Sequence, residues 1–331
     1  MESPAVAVIG CGYWGKNLVR NLHQLHALHA ICDVVPSRLE VLQMQYPGVT
    51  ASTCYEEMLA DQEVQAVAIA TPAETHFQLA KQALSAGKDV FVEKPLALHY
   101  DQGAELVELA RQHRAILMVG HLLEYHPAVE QLEKLIHSGE LGTLYYLYSN
   151  RLSLGKIRKE ENILWSFAPH DISILLRLVG AMPLEVSATG EAYLQSEVAD
   201  VTMTHLRFPG AVRAHIFVSW LHPYKEQRLV VIGDRKMAVF NDTLQEGKLK
   251  VYDKGIELVE GELLPRQEAE MIIDIPNVEP LRLECEHFLK CLQERSQPRT
   301  DGENGLRVLK ILEMAQRSMN AQGRPFSLET E

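Results

Sequence analysis

The motif Gly10-Cys11-Gly12-Tyr13-Trp14-Gly15 sits between a short apolar run at 5–9 and a helical spacing of Leu18, Val19, Leu22 and Leu25. At a strand-to-helix turn, the first glycine allows the tight turn and the second lets a pyrophosphate approach the backbone. The third lets the helix pack on the strand, leaving the phosphates at the helix N-terminus. Asp33 closes the next apolar run, about 20 residues on, where a carboxylate accepts hydrogen bonds from an adenosine ribose diol. Such a carboxylate repels a 2′-phosphate, so NAD is expected over NADP, with Arg38 as the residue that would hold the phosphate instead. Ala70-Thr71-Pro72 closes the run at 64–70, at the carboxyl edge where open α/β sheets bind ligands. His76 follows, and it either lines the cofactor cleft or flanks a helix. Glu93-Lys94-Pro95 closes the run at 89–92 and brings a lysine to the same edge. A lysine there can hydrogen-bond a substrate hydroxyl, and a cationic nicotinamide beside it would lower its pKa toward a catalytic range. Without those surroundings it reads as an exposed strand-end lysine.

A second cluster lies further on, in Trp165-Ser166-Phe167-Ala168-Pro169-His170-Asp171-Ile172-Ser173. His170 alone in it has an ordinary pKa near neutrality, which suits a general base for an alcohol proton; the alternative is a histidine capping a helix. Gly120-His121-Leu122-Leu123-Glu124-Tyr125-His126-Pro127 follows the last strand of the first domain, at a junction where clefts form, which makes His121 and Tyr125 candidate substrate contacts. Arg151, Lys156, Arg158 and Lys159 put four cations in a loop leading to Trp165 and His170. In an acidic protein such a loop can grip a diphosphate; balanced by Glu160 and Glu161, it also reads as solvated surface. Tyr224 and Lys225, at a later strand end, carry the same two readings.

These residues need a scaffold of two domains. Strand-like runs at 5–9, 28–32, 64–70, 89–92 and 116–119 alternate with helical spacings, which predicts a doubly wound parallel sheet over 1–120. From 121 the pattern changes. Extended stretches at 185–193, 201–208, 211–220, 228–233 and 236–241 follow one another without helices, predicting an α+β domain over 121–331 with a largely antiparallel, open sheet. Helices are expected at 127–138, near 170–179, and at 281–294 and 302–320, the last two packing back on the fold. Val201, Met203 and His205 on one strand and Ile216, Val218 and Trp220 on a neighbouring one exceed what these few helices can cover, so a homodimer or homotetramer through the sheet is expected.

Composition narrows the classes further. With 32 Lys and Arg against 44 Asp and Glu the net charge is −12, with no basic segment, which argues against a nucleic-acid partner. No apolar run approaches the ~18–20 residues that span a bilayer, nor a signal-peptide core, so a cytoplasmic protein is expected. The five cysteines are scattered and lack metal-site spacing; they read as reduced thiols, and no metal is expected.

The glycine loop, Asp33, Ala70-Thr71-Pro72 with His76, Ala86-Gly87-Lys88, Glu93-Lys94-Pro95 and Gly120 stand in the order and spacing of the glucose-fructose oxidoreductase, inositol dehydrogenase and rhizopine catabolism family (Gfo/Idh/MocA). The first domain resembles that family throughout, the second more weakly. The resemblance implies an N-terminal Rossmann domain, an NAD(P)-dependent sugar or cyclitol oxidoreductase, catalysis by Lys94 and a second-domain sheet used in oligomerisation. The family carries Asp, Gly and His at two-residue steps and then another Asp; here His170 keeps its place, while Ser166, Ala168 and Ser173 replace the others. The stretches around His121 and His170 resemble the branch acting on nucleotide-activated amino sugars. That implies oxidation of the C3 hydroxyl of a UDP-linked N-acetylamino sugar, ahead of a partner aminotransferase, in cell-surface glycan or lipid A biosynthesis. An inositol or free-sugar dehydrogenase and a non-catalytic dinucleotide sensor are the competing readings.

Overall fold

The computed structural model describes residues 3–155, 157–159 and 161–328. Residues up to Tyr125 form one compact unit with Val278–Lys310; His126–Asn277 form another with the residues from Ile311 on. The first unit therefore extends past 120. Tyr125 and the apolar side chains Leu281, Cys285, Phe288 and Leu292 belong to the same core as Val6, Val8 and Phe91.

In the first unit β1 (Val6–Ile9), α1 (Gly15–Gln24), β2 (Leu28–Cys32), α2 (Pro36–Gln45), β3 (Thr50–Ser52), α3 (Tyr55–Ala60), β4 (Ala66–Ile69), α4 (Ala73–Ser85), β5 (Asp89–Glu93), α5 (Tyr100–His113) and β6 (Leu117–Gly120) alternate along the chain. The six strands are parallel, in the order β3-β2-β1-β4-β5-β6. Every residue of β1, β4, β5 and β6 is buried, as strands covered on both faces require. This is the expected doubly wound sheet. Strand order reverses between β1 and β4, so the turns after these two strands flank the switch point where ligands bind. The sequence pattern did not reveal α2, β3 or α3. Only Leu39 and Leu42 of α2 are buried, and β3 is a partly exposed three-residue edge strand, so neither carries a strong periodicity.

The second unit contains α6 (Pro127–His137), β7 (Leu144–Leu152), α7 (Ile163–Val179), β8 (Glu185–Glu191), β9 (Val201–Arg207), β10 (Arg213–Ser219), β11 (Glu226–Gly233), β12 (Met237–Asn241), β13 (Leu249–Val259) and β14 (Glu262–Ile273). Helix α8 (Pro280–Glu294) returns to the first unit, α9 (Gly302–Asn320) runs from the first into the second, and β15 (Phe326–Ser327) completes the sheet edge beside β8. The sheet order is β14-β13-β12-β11-β7-β10-β9-β8-β15, antiparallel except for the parallel pair β7 and β10. The hairpin β13–β14 was not foreseen, because charged residues interrupt its alternation. It closes on Glu260 and Gly261, both at positive φ, the geometry of a two-residue primed turn.

Two expectations need correction. Helix α7 begins at Ile163 rather than near 170, with the Asn162 side chain capping the Trp165 N–H at 3.3 Å, so His170 lies inside the helix rather than at its start. Ile216, Val218 and Trp220 are fully buried, so the helices do cover them. The residues left half-buried or exposed on the other face of β9 and β10 are Val201, Met203, His205, Arg207, Arg213, His215 and Phe217.

Candidate active site

The glycine loop is shaped by close contacts. Gly10 has φ 88°, and a Cβ there would meet Thr71 Cγ2 at 2.8 Å; a Cβ on Gly15 would lie 1.8 Å from the Gly10 carbonyl oxygen. Gly12 differs: the nearest atom to its Cβ position is Arg38 Nη1 at 3.7 Å, so its backbone stays open on the ligand side. Tyr13 is exposed, Cys11 is buried, and the first turn of α1 has neither a side-chain cap nor an acidic residue, so the positive end of the helix favours an anion there. Asp33 is buried and held by three neighbours. Its Oδ2 accepts from Cys11 N at 2.7 Å, its Oδ1 accepts from Val35 N at 2.8 Å, and Arg38 Nη1 lies 3.3 Å from both oxygens. The carboxylate is thus a fixed anion that neutralises Arg38, which disfavours a 2′-phosphate. Open Gly12, the uncapped α1 terminus and Asp33 together fit NAD.

At the end of β5 the Lys94-Pro95 bond is cis, Lys94 is half-buried, and Glu93 Oε1 accepts the indole N–H of Trp14 from the glycine loop. Glycine at 120 is required by Glu93: a Cβ there would lie 2.8 Å from Glu93 Oε2. Thr71 and Ala70 are partly buried and Pro72 exposed beside the glycine loop. His76 has a backbone carbonyl at each ring nitrogen, Pro95 O 2.7 Å from Nδ1 and Thr71 O 2.9 Å from Nε2, and a neutral imidazole donates to one of them. It ties two cleft loops together rather than offering an edge to a ligand. Burial first, and the nearby Lys94 charge as a smaller cause, lowers its pKa. His121 is 1% exposed, its pKa pushed down to about 3 by burial and then by Lys94, and neither ring nitrogen has a hydrogen-bond partner among the described residues. A neutral imidazole beside Lys94 suits a substrate contact. Tyr125 does not: its hydroxyl is already engaged, 3.0 Å from Thr300 Oγ1.

In the second unit, Ser166 and His170 share a face of α7 one turn apart. Asp171 points to β7. Arg151 Nε and Nη2 donate to its two oxygens at 2.8 and 3.0 Å, and Ser149 Oγ donates to Oδ1 at 2.6 Å. The Arg151 guanidinium is therefore paired with Asp171 rather than presented to a diphosphate. Arg158 pairs with Glu161 at 2.9 Å, while Lys156 lies outside the described residues. Trp165 Nε1 donates to Gln316 Oε1 at 3.3 Å, and Tyr224 and Lys225 are exposed. Among the described residues no His, Cys, Asp or Glu cluster could hold a metal ion, and no helix is long and apolar enough to cross a membrane.

The profile of an oxidoreductase family with an NAD-binding Rossmann fold matches residues 5–121, and that of the GFO/IDH/MocA C-terminal domain matches 129–239. The chain belongs to the Gfo/Idh/MocA family. The cofactor of this Gfo/Idh/MocA protein is NAD. UDP-N-acetylglucosamine 3-dehydrogenase of Acidithiobacillus ferrooxidans is 29% identical over 91% of this chain and 93% of its own. A solved structure of that enzyme from the same organism superposes with a TM-score of 0.84 at 25% identity, over 96% of this chain and 97% of the other. The scyllo-inositol 2-dehydrogenase (NAD(+)) of Bacillus subtilis is 26% identical over 88% of this chain and 87% of its own. Residue patterns alone did not single out Glu284, a fully buried carboxyl group of α8 in this family member. The signal available was one carboxylate in the buried stripe of α8, between Leu281 and Phe288.

Proposed function

We propose that the chain is an NAD-dependent dehydrogenase that oxidises the C3 hydroxyl of a UDP-N-acetylamino sugar, UDP-N-acetylglucosamine before others, to the 3-keto sugar. The observation carrying this reading is the likeness to UDP-N-acetylglucosamine 3-dehydrogenase, which runs through both family domains and 91% of the chain. NAD supplies the hydride acceptor. The chain's own residues handle the proton and the binding: Lys94 and His170 serve the reacting hydroxyl, one of them as the base, and His121 contacts the sugar as a neutral imidazole. Lys225, with Lys156, is assigned to the diphosphate, because Arg151 already pairs with Asp171 and Arg158 with Glu161. The keto product would pass to an aminotransferase, in cell-surface glycan or lipid A biosynthesis in the cytoplasm. Inositol oxidation is the second reading, favoured by the nearly full-length likeness to scyllo-inositol 2-dehydrogenase and by the commitment of Arg151.

The deciding experiment incubates the protein and NAD with UDP-N-acetylglucosamine, its uronate, free N-acetylglucosamine and inositol, following NADH absorbance with a ketone trap present. Turnover of a nucleotide sugar is expected. Turnover of inositol or the free sugar alone transfers the assignment to the second reading, and NADH binding without turnover of any alcohol leaves a dinucleotide sensor.

A further inference from the structure

Helix α8 carries a carboxyl group that the proposed chemistry does not use. Its buried stripe includes Leu281, Glu284, Cys285, Phe288 and Leu292, one acid in an apolar row. Phe288 packs edge-on against Phe91 of β5, with ring centroids 5.7 Å apart. Glu284 lies one turn before Phe288, about 6 Å along the helix. Glu93 lies two residues after Phe91 on the same strand face, about 6.6 Å along the strand. Arg295, just past α8, donates to Asp89 at the start of β5 at 2.5 Å, so the helix runs against the strand and these similar steps put the two carboxyls level. Glu284 is 0% exposed, and neither of its oxygens has a hydrogen-bond partner among the described residues. An ionised carboxylate there would be a buried charge with no donor to stabilise it, beside two other acids. A neutral acid instead has an O–H to give, and the acceptor level with it is Glu93.

The groups facing Glu284 are Glu93 at the end of β5 with Lys94 just past it, and Glu124 and Tyr125 from the 3₁₀ turn Leu122–Tyr125. Cys285 adjoins it on α8, and the Arg299 guanidinium stacks 4.8 Å from the Tyr125 ring centroid. Trp14, which donates to Glu93, does not titrate. We infer that Glu284 is a positioning residue of the dinucleotide cleft: it remains a neutral acid whose O–H supports Glu93 as the anion that takes the Trp14 indole hydrogen and holds the glycine loop. Burial raises both carboxyl pKa values, that of Glu93 to about 7 against the lowering pull of Trp14 and Lys94. The inference rests on the dinucleotide reading of the first unit and is independent of the sugar.

Two measurements test it. The infrared spectrum of the NAD-free protein at pH 8 should contain a carboxylic-acid carbonyl band that Glu284→Gln removes. The dissociation constant of NADH, followed by fluorescence between pH 5.5 and 9, should rise by up to about tenfold per pH unit below the Glu93 midpoint, because the anion is lost as pH falls through a raised pKa. Glu284→Gln keeps a neutral donor and should leave that midpoint in place. Glu284→Met removes the donor and should move it up by about one to two pH units, the worth of one hydrogen bond to a charged acceptor. An absent acid band, a midpoint lowered by Glu284→Gln, or a Glu284→Met protein that melts earlier with an unmoved midpoint would each overturn the inference. Wild-type protein that binds no NADH would refute the dinucleotide reading instead, while the infrared band would still report the proton on Glu284.

Discussion

Lys94 and Asp33 show how differently single residues are settled. Lys94 is half-buried beside His121, whose imidazole burial keeps neutral, so a cation at 94 meets no second cation across from it. If Lys94 and His170 handle the substrate proton, Lys94→Ala and His170→Ala should each lower kcat by roughly 10²–10⁴-fold, since a positioned acid or base contributes about that much. NADH titration should show the cofactor still bound in both variants; a kcat within threefold of wild type would remove the residue from the chemistry. Asp33 acts by charge and by fixed geometry, with two backbone N–H groups and Arg38 on its carboxylate. Asp33→Ala should weaken NADH by about 10–100-fold, the value of hydrogen bonds to a charged acceptor, and should release Arg38 for a 2′-phosphate. Parallel titrations with NADH and NADPH check this: the ratio of the two affinities should move toward NADPH.

At the level of elements, the strand-to-helix turn after β1 separates packing from binding. Gly15 lets α1 approach the Gly10 carbonyl, so Gly15→Ala forces the helix away and should lower the melting temperature by several degrees along with NADH binding. Gly12→Ala has room at 3.7 Å and should melt within about 2 °C of wild type, a surface-like change, while NADH binding is lost because the methyl occupies the pyrophosphate approach. Thermal melts and NADH titration of the pair distinguish the two roles. Packing of α8 on β5 carries its own pH signature. A carboxyl raised in the fold binds its proton there more tightly than in the unfolded chain, so its contribution to stability is present below the unfolded value and is lost as pH rises toward the folded one. Both Glu93 and Glu284 are raised. Wild type should therefore lose stability relative to Glu284→Gln from pH 5 upward, by at most about 1.4 kcal/mol per pH unit, as read from urea unfolding at several pH values. A difference constant with pH would show that Glu284 ionises normally.

For the molecule as a whole, the open face of the second-unit sheet carries aromatic and histidine side chains that its helices do not cover. Tyr148 stacks on His215 with ring centroids 5.1 Å apart, His205 lies 6.0 Å beyond, and Phe217 stands opposite Met203 on the neighbouring strand. A groove of about 610 Å³ bordered by Tyr146, His205 and His215 opens on the same strands. If this face pairs copies of the chain, Phe217→Asp should reduce the mass seen by light scattering to that of a monomer, at little cost to the melting temperature. Unchanged mass would place the contact elsewhere. The amino-acid sequence alone determined the parallel sheet and the cofactor loop, because buried strands and glycine turns are local: each is written in four to six consecutive residues, and Asp33, Lys94 and Gly120 sit at their ends. What the tertiary structure alone decided is which polar groups were already engaged. Tyr125 finds Thr300, His76 finds Pro95, and Arg151 finds Asp171 across separations of 175, 19 and 20 residues. Glu284 reads as an ordinary helix residue until the edge contact of Phe288 with Phe91 brings it level with Glu93. Hydrogen bonds and desolvation depend on neighbours in space, and pairing at such distances leaves no period in the sequence for a pattern to detect.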